Sequence, residues 1–131
     1  MEALLLTVLY FALAIIIVII GLMIFEALTK KYKDWEEIQK GNQAVALSVT
    51  GKVIGICIIL AFSIYHSSAI LDTLIWGAVG VVLQMVAYVL FELFTRKFSV
   101  EEQLLKGNLA VGIISFGVSV GLAFVVGASI T

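Results

Sequence analysis

Four long apolar segments dominate this sequence, and they limit what the chain can fold into. They cover residues 3–25, 44–65, 70–91 and 109–131, and their only charged members are Lys52 and Asp72. A membrane-crossing helix needs about 20 mostly apolar residues, and each segment is long enough. Because the bilayer offers the backbone no hydrogen-bond partners, a lipid-exposed span is helical. The sequence therefore predicts an all-α integral membrane protein with four transmembrane helices.

The composition agrees with a membrane location and argues against several classes of function. Charged residues make up 13% of the 131 residues, against about 25% in soluble domains. The formal net charge of −1 gives no electrostatic reason to expect nucleic-acid binding. His66 is the only histidine, and no catalytic, phosphate-binding or metal-ligating motif is present. We therefore expect neither an enzyme nor a bound cofactor or metal.

The basic residues predict how the chain is oriented in the membrane. Except for Lys52, all of them lie in the two connectors that follow the first and third segments: Lys30, Lys31, Lys33, Lys40, Arg96, Lys97 and Lys106. The positive-inside rule places such connectors in the cytoplasm. We therefore expect loops 26–43 and 92–108 to be cytoplasmic and both termini to lie outside the cell (inner) membrane.

The sequence resembles itself when it is shifted by 66 residues. Three motifs recur: Phe-Glu-x-x-Thr at 25–29 and 91–95, Lys-Gly-Asn-x-Ala-Val at 40–45 and 106–111, and Gly-x-x-x-Gly at 51–55 and 117–121. We therefore predict a single membrane domain, 1–131, built from two helical hairpins, 1–65 and 66–131. Because each hairpin crosses the membrane twice, the two have the same orientation and form a parallel repeat.

The Gly-Asn pairs in the repeat predict where helices end and begin. Glycine tolerates the left-handed conformation that ends many helices, so Gly41 and Gly107 are expected to end short helices. Asparagine is a favoured N-cap, so Asn42 and Asn108 are expected to start the second and fourth spans. Helix termination and capping would explain these motifs without any further function.

Each connector also carries a pattern typical of a short helix. Asp34 and Glu37, like Ser99 and Glu102, have the spacing of a capping box. These patterns predict short amphipathic helices on the cytoplasmic surface, one before each second span.

Small residues predict which helix faces pack together, because they let backbones approach within the bilayer. Two such faces lie on the second and fourth spans: Ala44, Ser48, Gly51 and Gly55 on one, and Ala110, Gly117 and Gly121 on the other. Because four helices make a thin bundle, part of this surface is expected to contact further copies. We therefore predict a homo-oligomer surrounded by the lipid bilayer.

Four polar residues in or beside the spans are candidates for a pore or ligand site. Lys52 lies near mid-membrane, where it either snorkels along its helix or lines a cavity for an anionic ligand. Gln84 either makes an interhelical hydrogen bond or contributes to selectivity. Glu26 and Glu92 either form acidic mouths or pair with Lys30 and Arg96 one turn away.

The doubled Glu-x-x-Thr, Lys-Gly-Asn-x-Ala-Val and Gly-x-x-x-Gly patterns resemble the DUF350 (UPF0719) family of bacterial membrane proteins. The resemblance covers the whole chain and implies an inner-membrane protein, but it supplies no mechanism. Two functions remain open from the residues. The chain is either an oligomeric channel or transporter for a small ion or solute, or a non-transporting membrane scaffold for an unidentified protein partner.

Overall fold

A computed structural model of the chain describes residues 1–28, 33–94 and 99–131. These residues form helices without any strand: α1 (Glu2–Leu28), α2 (Asp34–Gln39), α3 (Gln43–His66), α4 (Ile70–Phe94), α5 (Val100–Leu105) and α6 (Leu109–Ile130). The helices α1, α3, α4 and α6 are each long and apolar enough to cross a membrane. The prediction of four spanning helices is therefore confirmed, with ends that differ from the expected ones by a few residues.

The helix α3 lies at the centre of the bundle. It packs most extensively against α6 and also contacts α4 and α1. The helix α1 lies at the periphery, with only Gly21 and Phe25 buried. One apolar cluster joins α1, α3 and α4 through Phe25, Ile56, Leu60, Val81, Met85 and Tyr88. In a bilayer, the outward apolar side chains of such a bundle face lipid or another protein.

Two glycines allow α3 and α6 to approach closely. A Cβ atom added at Gly51 would lie 2.8 Å from the Cα atom of Phe116, and one at Gly112 would lie 2.8 Å from the Cα atom of Ala44. Backbone cannot move aside as the end of a flexible side chain can, so these positions have no room for a larger residue. This contact therefore depends on the small residues of both helices.

The packing face of α6 differs from the one that the repeat suggested. Gly117 and Gly121 are exposed, and a Cβ atom at either would meet nothing within 4 Å. The face that meets α3 instead carries Gly112, Ser115, Ser119 and Ala123. The expectation that Ala110, Gly117 and Gly121 pack against a helix is therefore wrong within the single chain. The helix α3 packs against all three other spanning helices, whereas nothing in the described part of the chain lies over the matching face of α6.

The turns before α3 and α6 have the same backbone geometry. Gly41 and Gly107 have positive φ angles of 88° and 79°. The side chains of Asn42 and Asn108 then accept hydrogen bonds from the backbone N–H groups of residues 45 and 111, at 3.1 and 3.4 Å.

The two asparagines differ in their remaining contacts. The Nδ2 atom of Asn42 donates to the backbone oxygens of Leu104 and Leu105, at 2.8 and 3.2 Å, and so ties the first turn to the end of α5. Both Nδ2 atoms also donate locally, that of Asn42 to Glu37 at 3.3 Å and that of Asn108 to Gln103 at 2.9 Å, and in the described residues Asn108 has no bond to another helix like those of Asn42.

The two capping-box expectations have different outcomes. Ser99 is the N-cap of α5, where its Oγ atom accepts a hydrogen bond from the Glu102 N–H at 3.3 Å. Lys33 occupies the N-cap position of α2 and makes no side-chain cap bond, so the capping prediction for Asp34 is wrong. Asp34 is the first residue inside the helix, and its side chain is buried rather than turned back to the helix end.

Candidate functional site

Lys52 is buried near the middle of the bundle, between two aromatic rings. It is 3% exposed, and its Nζ atom lies 5.2 Å from the centre of the Phe25 ring and 4.9 Å from that of Tyr88. The two rings themselves meet edge to face, with centroids 6.0 Å apart. A lysine at mid-membrane costs about 2.5–3.5 kcal/mol on insertion scales. Desolvated cation–π contacts contribute about 2 kcal/mol each, so the two rings together can offset a cost of this size.

The ammonium of Lys52 faces a cavity at the connector end of the bundle. The cavity has a volume of about 320 Å³ and is lined by Phe25, Leu28, Lys52, Tyr88, Val89, Glu92 and Glu101. This volume falls at the lower end of the range for small-molecule sites. The walls combine apolar and aromatic surface with one ammonium and two carboxyl groups. Such a lining suits a small ion or a small charged solute.

Carboxyl groups from three other helices surround Lys52. The lysine interacts electrostatically with Asp34 of α2 and Glu92 of α4, and Glu101 of α5 lies near both of these acids. Among the described residues, Lys52 forms cation–π contacts but no direct salt bridge. The positive charge is therefore attracted towards the connector end without being neutralised by contact.

A triangle of hydroxyl groups links α3, α4 and α6 next to Lys52. The Tyr88 Oη atom lies 2.8 Å from the Oγ atom of Ser115 and 3.4 Å from that of Ser48, and the Ser115 hydroxyl donates to Ser48 at 3.1 Å. All three side chains are buried. Because Tyr88 also holds the Lys52 ammonium, the triangle fixes the ring that forms one wall of the cavity.

Gln84 lies one helical turn beyond Tyr88, deeper in the bundle. Its Nε2 atom donates a hydrogen bond to the backbone oxygen of Ser119 at 2.7 Å. Gly55 makes room for this contact, since a Cβ atom there would lie 3.0 Å from the Gln84 Nε2 atom. Within the described part of the chain, the Gln84 Oε1 and Ser119 Oγ atoms have no hydrogen-bond partner. At this depth of the bundle, two buried polar atoms are therefore still able to form a hydrogen bond.

The two recurrent glutamates line different cavities. Glu92 contributes to the cavity of Lys52, whereas Glu26 lines a smaller one with Asp34 and Trp35. The alternative pairing with Lys30 and Arg96 lies outside the described residues. In the described residues no group of three His, Cys, Asp or Glu side chains is placed to hold a metal ion.

Several residues of this site were not singled out from the sequence. Ser115 and Ser119 are four residues apart on one face of a span, which is the signal that could have identified them. The sequence predicts only a capping role for Asp34, and no motif singles out Glu101. No local pattern links Phe25 to Lys52, because the contact joins two helices that are 27 positions apart in sequence.

Comparisons with known proteins agree on one family. The model of the family described as "Domain of Unknown Function (DUF350)" matches residues 1–130. The UPF0719 transmembrane protein YshE of Bacillus subtilis (strain 168) is 42% identical over 121 residues, which cover 92% of this chain and 90% of that protein.

A more distant relative comes from another organism. The UPF0719 inner membrane protein YjfL of Escherichia coli (strain K12) is 28% identical over 103 residues, which cover 79% of this chain and 76% of the relative. No solved structure matches the chain. With four helices able to span a bilayer and relatives named as membrane proteins, this is a small polytopic membrane protein. The chain belongs to the DUF350 family.

Proposed function

We propose that the chain works as a transporter for a small ion or solute, which binds in the cavity beside Lys52. The observation that carries this proposal is a buried ammonium on the wall of a cavity of about 320 Å³. The space beside the ammonium gives room for a small ion or solute to contact it. Ionisable residues inside membrane segments commonly mark the path of a substrate or an ion. The proposal includes no catalytic activity.

The packing beyond the cavity favours a transporter over a pore that stays open within one chain. Ile56, Ile59 and Leu60 are almost fully buried and fill the bundle one to two turns past Lys52. A solute at Lys52 therefore needs a rearrangement of the helices, or a path between copies, to reach the other side.

We also propose the orientation and the repeat that the sequence predicts. In this arrangement the connectors of both hairpins, with α2 and α5 as surface helices, lie in the cytoplasm, and both termini lie outside. The positions of the basic residues support this orientation. The cavity of Lys52, which is lined by Leu28 and Glu101 near the connectors, then opens towards the cytoplasm.

Transport is tested by flux into liposomes that contain the purified protein. The panel includes protons, alkali cations, halides and small amino acids that carry both charges, because the cavity presents groups of both signs. We expect flux of at least one of these above that of protein-free liposomes. A protein that is folded but silent towards the whole panel would overturn the proposal and favour the scaffold.

We further propose that the chain forms a homo-oligomer through the outer face of α6. Gly121 lies in an apolar groove with Ala87, Leu90, Phe91, Val118 and Leu122, and none of the residues that the structure describes covers it. In a bilayer, exposed glycines let the backbone of a neighbouring helix approach.

The variant Gly121→Leu should therefore fill the groove and shift the purified protein towards the monomer. Light scattering in detergent measures the shift, and Ala12→Leu, at an exposed position on α1 away from this groove, serves as the control. Equal masses for wild type and Gly121→Leu would contradict this interface.

A further inference from the structure

Asp34 occupies an unusual position for the first residue of a short surface helix. Its side chain is 5% exposed. It lines a cavity of about 170 Å³ between α1, α2 and α3, together with Ile19, Leu22, Met23, Glu26, Trp35 and Val49. Apart from Glu26, that lining is mostly apolar. The carboxyl group therefore lies in an environment that solvates a negative charge poorly.

One oxygen of this carboxyl group lacks the contacts that a buried charge requires. The Asp34 Oδ1 atom has no hydrogen-bond partner among the described residues. Buried polar atoms nearly always have a partner, and an ionised carboxylate needs several. A protonated carboxyl group costs less to bury there, because it carries no net charge.

The charged groups that face Asp34 come from three helices. Glu26 on α1 and Glu101 on α5 are negative, whereas Lys52 on α3 is positive. Burial raises the pKa of Asp34 above its ordinary value, Lys52 partly counteracts this rise, and the two glutamates add to it. Among the described residues, burial and the two negative charges thus outweigh the effect of Lys52 on this pKa.

We propose that Asp34 is a proton-binding site, whose carboxyl group stays protonated at pH values where exposed aspartates are ionised. Loss of the proton creates a negative charge, which attracts the Lys52 ammonium at the edge of the cavity of Lys52. The pH on the side of the connectors thus sets the charge of Asp34, and this charge changes the electric field in the cavity of Lys52. The proton-binding site does not depend on transport of a solute, so it goes beyond the proposed function.

The stability of the protein should reflect this proton. Because the folded chain binds the proton more tightly than the unfolded chain, stability should fall as pH rises from the ordinary value of 3.8 through the raised pKa. Asp34→Asn, which cannot ionise, should lose this fall. Glu36→Gln, at an exposed position on the same helix, should keep it. The midpoint of thermal unfolding in detergent measures the effect, and identical pH profiles for wild type and Asp34→Asn would contradict the site.

The decisive test observes the carboxyl carbon itself. The sequence contains only two aspartates, Asp34 and the exposed Asp72, so protein labelled with ¹³C at the aspartate carboxyl carbon gives two NMR signals. The variant Asp72→Asn leaves only the signal of Asp34 and does not change its site. We expect this carbon to titrate at a higher pH than aspartate in a peptide, whose pKa is about 3.9. Titration at the peptide value would overturn the proposal.

Two lysine variants and a sodium titration show whether the NMR titration reports a proton held near Lys52. Lys52→Met should move the titration of Asp34 to still higher pH, because it removes a positive charge that favours the ionised form. Lys40→Met, which removes an exposed lysine paired with Glu37, should leave it unchanged. If sodium at constant pH displaced the proton, the site would be a cation site, and the assignment to the proton would be wrong.

Discussion

Gly51→Ala should lower the free energy of unfolding by about 1–3 kcal/mol, the usual cost of forcing extra atoms into a packed contact. The added Cβ atom would lie 2.8 Å from the Cα atom and 3.2 Å from the backbone oxygen of Phe116. Neither atom can move unless α6 moves as a whole. The helices α3 and α6 form the most extensive contact in the chain, so their separation should also disturb the triangle of Ser48, Tyr88 and Ser115.

The repeat provides a matched control for this substitution. Gly117 occupies the position of Gly51 in the second half of the sequence, but a Cβ atom there meets nothing within 4 Å. Gly117→Ala should therefore leave stability unchanged or raise it by up to about 1 kcal/mol, because alanine favours helix. Unfolding in detergent by heat or by SDS measures both variants. Equal stabilities would show that α3 and α6 do not pack as described.

Lys52→Met should reduce flux to the level of protein-free liposomes while the protein remains folded. Methionine keeps a similar length and removes the charge, so the side chain still fits between Phe25 and Tyr88. The loss of a desolvated charge from a binding site typically costs about 2–5 kcal/mol, which corresponds to a loss of about 30-fold or more in binding. Thermal unfolding should be unchanged or shifted upward, because burying methionine in the membrane costs less than burying an ammonium.

Two further lysine variants distinguish a role in binding from a general effect of charge. Lys52→Arg keeps the charge, but its planar guanidinium fills more of the cavity, so we expect partial flux. Lys40→Met removes an exposed charge in the connector and should leave flux unchanged. Full flux in Lys52→Met would show that the cavity does not bind the transported species.

The helices could be predicted from the sequence because each depends on local information. Long uncharged runs define the spans, and a Gly-Asn pair contains both a residue that tolerates positive φ and one that caps the next helix. The position of Gly41 and Asn42 at the start of α3 follows from that pattern alone. Neither signal depends on how the helices are arranged in space.

The site could not be predicted in the same way, because it depends on which helix faces meet. A repeat in sequence suggests equivalent packing for Gly51 and Gly117, but α3 is central and α6 is not, so only Gly51 meets a backbone. Asp34 has the spacing of a cap, and only the three-dimensional position of α2 against α3 buries its carboxyl group. Lys52 could be identified as a deep charge, whereas its aromatic neighbours lie on α1 and α4.

The central claim is that the cavity of Lys52 is reached from the cytoplasm. It is tested most directly by Lys52→Cys in a protein whose native thiol is removed by Cys57→Ala. A charged, membrane-impermeant thiol reagent is added either to spheroplasts or to inside-out vesicles. Ile54→Cys, two residues away on the outer face of α3, is the control at the same depth.

We predict that Lys52→Cys reacts in inside-out vesicles and not in spheroplasts, while Ile54→Cys reacts in neither. Reaction from the outside, or no reaction from either side, would contradict the account.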